Sequence, residues 1–443
     1  MATYDSTVLS WTLLLSLSAC GEPAPGPPNV LVVSIDTLRA DRVGRRDAEG
    51  RSMTPNLDAF ARDARVFESA WSQANETLYS HASVFTGLYP SEMGELDYAT
   101  YGFRADQETM AAVFSRSGYA TEAVVAGGHL APEFGLGVGF QRYASGDDFG
   151  SFQQTVPLAL ERIDVLEEGD RPWLMFVHGY DVHAPYLKWG PLFRGDTPGY
   201  NGPLLERALI PWTCEQILDG VLHPGFDPQN ISTGGRTVLD PALFDELETW
   251  AAGHEGEGIT LGPEDEAFVR GLYDGSVRYA DYHVGVLLAE LEDRGLSGDT
   301  VVVVMSDHGE DLLDHGHVNH RSSLHDENIH VALMLRGPGI EPGAVATPVG
   351  LVDILPTLAG LSGVRVPETR GQDLLSPDPD RVVYSEAVLG TVSLRSAEGR
   401  LAMPHGSDQW PEEPPPGAFI TGPHGEPLSW SDPLGPELFA ELQ

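Results

Sequence analysis

The chain has 443 residues, of which 41% are hydrophobic, so it can bury a sizeable core and is not a wholly disordered protein. It carries 66 acidic and 26 basic residues, and this net charge of −40 argues against a nucleic-acid partner because phosphate backbones are bound by Lys and Arg. Its two cysteines, Cys20 and Cys214, are too few for a disulfide framework or a four-cysteine zinc site. An anionic substrate would therefore need a local positive centre, which a bound metal ion can supply.

The N-terminal segment has the pattern of a sorting signal. Residues 8–19 are mostly apolar but too few to span a bilayer, and the segment closes with Leu17-Ser18-Ala19-Cys20, which resembles a bacterial lipobox. We therefore expect 1–20 to be a lipoprotein signal peptide and 21–28 a flexible tether. Because no Lys or Arg precedes Arg39, a cleaved secretory signal or an unprocessed tail stays open as the alternative. Lipidation of Cys20 would place the protein outside the bacterial cytoplasm, in the periplasm or at the cell surface, with this anchor as its membrane contact.

Short apolar runs and helical patterns alternate along the rest of the chain. Continuous runs rich in β-branched residues predict buried parallel strands, and 29–35 and 300–305 are the clearest examples. Thr54 and Pro55 supply an N-cap and a first-turn proline, which predict that a helix begins there. The predicted strands are 29–35, 123–126, 173–177, 300–305, 331–335 and 382–384, and the predicted helices are 55–64, 108–117 and 277–291. This alternation predicts an α/β fold with a large, mostly parallel sheet sandwiched by helices.

The composition of the chain after the tether predicts a main domain followed by a smaller C-terminal subdomain. We expect one main domain over 29–380, within which 187–263 is less periodic and richer in Gly, Pro and acidic residues. That stretch is typical of a variable insertion, and we expect it to decorate the substrate side. Residues 381–443 combine short strands with many Pro and Gly residues, which predicts a small C-terminal antiparallel subdomain.

Side chains that can bind a metal follow three of the predicted strands. They are Asp36 after 29–35, then His178, Asp181 and His183 after 173–177, and Asp307 and His308 after 300–305. Ligands bind outside the carboxyl ends of strands in open α/β sheets, so these side chains are candidates for one site. Six of the 15 histidines also fall between positions 308 and 330. A single Asp at a strand end is often only a turn former, but three such ends together indicate a functional site.

Five motifs carry a family resemblance. The segments NVLVVSIDTLRAD (29–41), TPNLD (54–58), TGLYP (86–90), DVHAPY (181–186) and TVVVVMSDHGE (300–310) resemble the sulfatase family of the alkaline phosphatase superfamily, in the family order. The resemblance covers about residues 29 to 390 and implies an alkaline phosphatase-like sandwich with a small C-terminal sheet. By this resemblance, residues 29–380 would form the catalytic domain.

The resemblance also implies a metal centre. One divalent ion would be held by Asp36, Asp307 and His308, with Thr77 in its shell. Oxygen ligands with one imidazole suit Ca, Mg, Mn or Zn, and the sequence does not choose among them. Thr37 stands where calcium sulfatases commonly carry a second acidic residue, which weakens the case for calcium.

The chain departs from the family at the nucleophile. Sulfatases carry Cys-x-Pro-Ser-Arg, whose cysteine becomes formylglycine, whereas counting back from TGLYP places Thr77 at the cysteine, Ser80 at the serine and His81 at the arginine. Threonine cannot yield an aldehyde, because its Cβ carries a methyl group. Thr77 is nonetheless a coherent nucleophile, as in the phosphoethanolamine and glycerophosphate transferases of the superfamily, and we expect it just before a helix over 80–85. The alternative is that Thr77 is only a helix N-cap.

Three more residues are carried over from the resemblance. His183 matches a histidine that contacts the transferred group or protonates the leaving group, and His320 matches an anion-binding histidine of the transferases. His129 matches the histidine of a sulfatase Lys-x-His pair, but Gly127 stands at the lysine. His81 could restore part of the lost charge if protonated, and we expect His81 and His129 to bind substrate. The alternative for these two is ordinary loop packing.

These inferences predict a metal-dependent hydrolase of sulfate, phosphate or phosphonate esters. Its substrate would be a small anionic ester or a sulfated or phosphorylated glycan or lipid, attacked by Thr77 with His183 and His320 as the other catalytic residues. Two alternatives stay open. One is a transferase that resembles phosphoethanolamine transferases and uses a glycan or lipid acceptor. The other is a surface lipoprotein that binds glycans through a degraded site.

Overall fold

The structure is a computed structural model of the chain. It describes residues 26–93, 108–146, 149–184, 186, 262–315, 318–321, 323–387, 390–404, 410–411, 413–415 and 418–441. The predicted signal peptide, Cys20, Cys214 and nearly all of the predicted insertion therefore lie outside the described residues. None of the described helices is long and apolar enough to cross a membrane.

Sixteen strands are described. They are β1 (Asn29–Ile35), β2 (Arg65–Phe67), β3 (Ala70–Trp71), β4 (Ala120–Val125), β5 (Arg142–Ser145), β6 (Trp173–Gly179), β7 (Thr300–Ser306), β8 (Asp311–Leu312), β9 (Val318–Asn319), β10 (Leu333–Arg336), β11 (Gly343–Val345), β12 (Val349–Gly350), β13 (Val383–Glu386), β14 (Thr391–Ser396), β15 (Gly399–Pro404) and β16 (Phe419–Thr421). The α-helices of the described residues are α1 (Pro55–Ala61), α2 (Thr77–Thr86), α3 (Met110–Arg116), α4 (Phe152–Glu167), α5 (Pro263–Asp293), α6 (Asp326–Ile329), α7 (Ile354–Ser362) and α8 (Leu434–Ala440).

An eight-stranded sheet forms the centre of the fold, in the order β11-β2-β10-β7-β1-β6-β4-β5. Five of its pairings are parallel, and β10 runs antiparallel to both of its neighbours. β1 lies between β7 and β6, with Ile35 opposite both Ser306 and Gly179. The carboxyl ends of these three strands therefore meet at one edge, which confirms the predicted mostly parallel α/β sheet and brings Asp36, His178 and Asp307 together.

Helices cover both faces of this sheet, because its strands are apolar on both sides. Leu31 and Val33 of β1 point into a core shared with α1, α4 and α5, whereas Val30 and Val32 point into a core shared with α2, α3 and α7. All four side chains are fully buried. The two cores hold the carboxyl ends of the strands rigidly in place.

The C-terminal part confirms the predicted antiparallel sheet. β13, β14, β15 and β16 pair in sequence order, each antiparallel to the next. Helix α8 packs on this sheet around Leu401, Ile420 and Leu438. The first strand of this sheet begins at Val383.

Several element boundaries differ from the predictions. α5 begins at Pro263, not near 277, because Glu264, Asp265 and Glu266 favour the helix N-terminus although the first half of the helix shows weak apolar periodicity. α1 ends at Ala61 rather than at 64, and α2 begins at Thr77 rather than at 80. The last correction moves Thr77 from the loop into the first turn of the helix.

Asp281 joins α5 to the start of α1. Its carboxylate accepts hydrogen bonds from the backbone N–H groups of Asn56 and Leu57, at 3.1 and 2.8 Å, and from Asn56 Nδ2 at 2.8 Å. These bonds satisfy amides that α1 itself leaves unpaired. We expect Asp281→Ala to lower the free energy of unfolding by about 1.5–3 kcal/mol, measured by urea denaturation. Asp293→Ala, at an exposed position of the same helix, is the control, and equal effects of both changes would refute this role.

Candidate active site

Three of the predicted metal ligands converge at the carboxyl edge of the sheet. Asp36 follows β1, and Asp307 and His308 follow β7. One ligand atom from each lies within 4.8 Å of the others, and all three side chains are fully buried. Among the described residues, this is the one group of three or more acidic, histidine or cysteine side chains close enough to hold a metal ion.

The hydrogen bonding around these ligands fits a cation. Asp307 Oδ1 accepts from the backbone N–H groups of Thr37 and His308, at 3.1 and 2.9 Å, whereas Asp36 Oδ2 and Asp307 Oδ2 are buried without a hydrogen-bond donor. Burial and the nearby negative charge of Asp36 raise the pKa of Asp307. His308 Nδ1 donates to Gly309 O at 2.9 Å, so Nε2 keeps its lone pair, as is usual for a metal-bound histidine. The donor set and its two unpaired oxygens therefore suit a divalent cation.

Thr77 lies directly against this group. Its Oγ1 is 3.1 Å from Asp36 Oδ1 and 3.2 Å from His308 Nε2. Thr77 is the first residue of α2, whose first helical hydrogen bond runs from Ser80 N to Glu76 O at 3.0 Å. A helix leaves the amides of its first turn without intrahelical partners, and these amides and the helix dipole favour an anion near the Thr77 hydroxyl. Because Glu76 is the N-cap residue, the alternative that Thr77 is only an N-cap does not hold.

His81 does not supply the positive charge suggested for it. Its Nδ1 donates to Thr77 O at 2.7 Å and its Nε2 accepts from Ser34 Oγ at 2.9 Å, so both ring nitrogens are occupied within the protein. Burial lowers the pKa of His81 to about 4, which keeps the ring neutral at physiological pH. The structure therefore corrects the expected substrate contact: His81 fixes the first turn of α2 against β1.

Two further interactions fix the strand ends. Thr37 has a positive φ of 54°, which is strained for a β-branched residue, and the turn it forms aims its N–H at Asp307. Arg39 is buried and pairs with Asp41 at 2.8 Å and Asp314 at 2.6 Å, while its Nη1 also donates to Glu310 O at 3.2 Å. Arg39 thus ties the loop after β1 to the loop after β7.

His320 lies beside both His308 and His183. The ring centroid of His320 lies 4.4 Å from that of His308 and 5.2 Å from that of His183. His320 Nδ1 donates to Glu310 Oε1 at 2.9 Å, and His183 Nδ1 donates to Ala184 O at 2.7 Å. Because Nδ1 of each ring is engaged in these bonds, Nε2 is the nitrogen that can transfer a proton or bind an anion. Burial and the electrostatic effect of His308 lower the pKa of His320.

His129 stands further out, against aromatic rings. Its centroid lies 5.7 Å from that of Phe134 and 6.2 Å from that of Phe149, and Phe149 lies 5.1 Å from His183. Burial lowers the pKa of His129 to about 3, and the positive charges of Arg321 and His183 contribute to the shift. His129 is therefore close to the group of histidines but neutral, and it brings no cation to the position where Gly127 replaces a lysine.

Other residues named from the sequence have different roles. Asp181 Oδ2 accepts from Phe152 N at 2.8 Å, so it caps the start of α4. His315 and His325 stack on each other with centroids 3.7 Å apart, and His330 stacks on Trp71 at 4.7 Å. His317 lies outside the described residues. Of the six clustered histidines, the structure places His308 and His320 at the centre.

His178, one of the candidates predicted at the end of the strand over 173–177, has its Nε2 3.6 Å from Asp36 Oδ1. The sequence reasoning missed two further charged neighbours of the centre, Glu76 and Arg321. Glu76 is buried beside Thr77, where burial raises the pKa of its carboxyl to about 7, and Glu76 Oε1 lies 3.1 Å from Arg321 Nε. No sequence pattern pointed to the Glu76–Arg321 pair, because its members are far apart in the chain.

The fold and the site define a class: hydrolases of sulfate or phosphate esters built on an alkaline phosphatase-like sheet. The Sulfatase family model matches residues 28–364, so the chain belongs to the sulfatase family. An arylsulfatase of Clostridium perfringens is 24% identical over 394 residues, covering 77% of this chain and 76% of the relative. Two solved structures share the fold, each with a TM-score of 0.64. A phosphonate monoester hydrolase of Silicibacter pomeroyi has 20% identity and covers 94% of this chain and 93% of its own. A protein in complex with its substrate D-glucosamine-2-N,6-O-disulfate has 18% identity and covers 94% and 95%.

Proposed function

We propose that this protein hydrolyses anionic esters with Thr77 as the nucleophile, in a centre where Asp36, Asp307 and His308 hold one divalent metal ion. The observation that carries the proposal is the position of Thr77 Oγ1, 3.1 Å from Asp36 Oδ1 and 3.2 Å from His308 Nε2. When bound, a divalent ion supplies Lewis-acid stabilisation of the ester oxygens and lowers the pKa of a bound hydroxyl.

Each remaining step is assigned to a side chain of the protein. Thr77 Oγ attacks phosphorus or sulfur, its proton is accepted by Asp36 Oδ1, and the bond to the leaving oxygen breaks. Protonated His183 gives its Nε2 proton to that oxygen, while His320 Nε2 and the amides of the first turn of α2 bind the oxygens of the transferred group. In the second step, His183 accepts a proton from the water that attacks phosphorus or sulfur, the bond to Thr77 Oγ1 breaks, and Asp36 returns its proton to that oxygen as the inorganic anion is released.

The nucleophile favours phosphorus esters over sulfate esters. Thr77 has one oxygen on its Cβ, so no second hydroxyl on that carbon can expel the transferred group. Water must instead cleave the enzyme ester at phosphorus or sulfur. We therefore expect phosphate or phosphonate esters to be turned over faster than sulfate esters, although the relatives include proteins named for sulfatase activity.

One experiment tests this function and its rivals together. The metal content of the purified protein is measured, and turnover is then assayed with an aryl sulfate, a phosphate monoester, a phosphodiester and a phosphonate monoester. We expect one divalent ion per chain and hydrolysis of at least one phosphorus ester. Turnover that requires an added alcohol or lipid acceptor would show a transferase. A protein that binds no metal and turns over none of the four would refute the proposal and favour a glycan-binding role.

His183 gives a prediction that depends on the leaving group. We expect His183→Gln to lower kcat/KM about 10²-fold or more for an alkyl ester, whose leaving oxygen needs a proton. The loss should be much smaller for a 4-nitrophenyl ester, whose anion leaves without protonation. His283→Gln, on α5 outside the site, is the control and should change neither rate. Equal losses for both esters would contradict the assignment of His183 as the general acid.

We also propose that the protein is anchored by a lipid on Cys20, supported by the Leu-Ser-Ala-Cys sequence that ends the apolar segment. Intact-mass measurement after membrane extraction tests this. An N-terminus that begins at Met1 with unmodified Cys20 would refute it.

A further inference from the structure

The site lacks the permanent cations that the family resemblance led us to expect. Gly127 occupies the lysine position, and its backbone has φ 80° and ψ −140°, a conformation that a lysine would adopt only with strain. His81, at the arginine position, is buried and has both ring nitrogens hydrogen-bonded within the protein. The sequence contains a single lysine, Lys188, which lies outside the described residues. In the described part of the site, a permanent positive charge must therefore come from arginine.

Arg321 is an arginine that lies against the start of α2. It follows His320, and its Nε lies 3.1 Å from Oε1 of Glu76, the residue before Thr77. The Arg321 side chain is 44% exposed whereas the Glu76 side chain is 3% exposed, so the guanidinium lies between the first turn of α2 and solvent.

The backbone on either side of His320 has an unusual conformation. Asn319 and Arg321 both have positive φ, 69° and 90°, on either side of His320. Asn319 Oδ1 accepts from His320 N at 2.7 Å, which stabilises the turn. Strained residues of this kind persist where the surrounding structure over-determines them, most often at functional sites. The turn joins His320, whose ring lies beside that of His308, to Arg321, which pairs with the residue before Thr77.

Arg39, the other arginine close to the metal-binding group, cannot take this role. Its side chain is 5% exposed and is held by Asp41 and Asp314 at 2.8 and 2.6 Å. An anion would have to displace both carboxylates to reach it. Arg321 is instead reachable from solvent, and its planar guanidinium matches two oxygens of a phosphoryl or sulfuryl group.

We propose that Arg321 binds the non-bridging oxygens of the transferred group, in the role left vacant at Gly127 and His81, and that Glu76 positions it. The proposal rests on the proposed function, because it assigns the anion at that same site. The ion pair between Glu76 and Arg321, which are far apart in the chain, then helps to determine the affinity for substrate.

Anion binding tests this residue independently of turnover. The affinity for inorganic phosphate and for inorganic sulfate is measured by calorimetry on the metal-loaded protein, for wild type, Arg321→Gln, Arg321→Lys and the control Arg62→Gln, which removes an exposed arginine of the helix α1 end. We expect Arg321→Gln to weaken phosphate binding about 10- to 100-fold and Arg321→Lys to restore part of the loss. In ester assays the loss should appear mainly in KM, and Arg62→Gln should match wild type within about twofold.

The outcomes separate the two proposals. Unchanged anion affinity in Arg321→Gln, with unchanged thermal stability, would overturn the role of Arg321 even if esters are hydrolysed. Weakened binding in a protein that turns over no ester would support Arg321 as the anion ligand and reject the hydrolase. Glu76→Gln tests whether the pair is purely structural, because this variant keeps the positive charge of Arg321. If Glu76→Gln and Arg321→Gln lose anion binding equally and both have a lower Tm, the pair is purely structural and the proposal is overturned.

Discussion

Replacing Thr77 by alanine is expected to lower kcat by about 10³-fold or more, because the variant has no oxygen to form the bond to phosphorus or sulfur. The variant should still bind the metal, since Asp36, Asp307 and His308 remain. The comparison is made with steady-state kinetics on the best ester and with elemental analysis of the same preparations. A Thr77→Ala variant that turns over as fast as wild type would remove Thr77 as the nucleophile.

Thr77→Ser is the matched variant. It keeps the hydroxyl and loses only the methyl group, so we expect it to retain a substantial fraction of the activity and to form the same enzyme ester. Rapid acid quenching during turnover, followed by peptide mass spectrometry, should find a phosphoryl or sulfuryl group on residue 77 in wild type and in Thr77→Ser. The group should be absent from Thr77→Ala. Finding it on a different residue would contradict the mechanism.

Asp307→Asn is expected to have the second large effect, on metal affinity. The change removes one of two buried carboxylates, and we expect metal affinity to fall at least about 100-fold, with activity falling in parallel. Asp311→Asn is the control, because Asp311 is also buried but bonds to Asn328 Nδ2 at 2.7 Å outside the centre. Equilibrium dialysis with each divalent ion measures the affinities. Equal metal affinity in wild type and Asp307→Asn would contradict the assigned ligand set.

Without metal, we expect Asp307→Asn to stabilise the folded protein, although the same change weakens metal binding. Burial and Asp36 raise the pKa of Asp307 in the folded state, so folding is favoured when Asp307 is protonated and disfavoured as pH rises through the raised pKa. Asp307→Asn removes this cost. With a chelator present, we expect the Tm of the variant to exceed that of wild type increasingly as the pH of the buffer series rises above about 4, the ordinary pKa of an aspartate. A wild-type protein that is the more stable of the two at the upper pH would show that the two carboxylates do not repel each other.

The strands of the sheet centre were predictable from local sequence. β1 and β7 are uninterrupted apolar runs because they are buried on both faces, and the structure confirms them to within one residue. The antiparallel direction of β10 was not predictable, since an apolar run carries no information on the direction of pairing. The first half of α5 was missed for a different reason. Gly271 and Gly275 are buried within that helix, so tertiary packing overrides a weak local propensity.

The metal-binding group was predictable because each ligand directly follows a strand. Parallel strands meet at one edge, so Asp36 and Asp307 had to come close once β1 and β7 were adjacent. The Glu76–Arg321 pair depends instead on how a strained turn after β9 meets the start of α2. The neutral state of His81 depends on burial and on two hydrogen bonds, neither of which local sequence reports.

The most direct test of the account is a crystal structure of the metal-loaded protein with anomalous scattering recorded at the absorption edge of the bound metal. We predict one anomalous peak about 2.0–2.6 Å from oxygens of Asp36 and Asp307, from His308 Nε2 and from Thr77 Oγ1. A metal-loaded crystal with no peak at this position, or with Thr77 outside the coordination sphere, would contradict it.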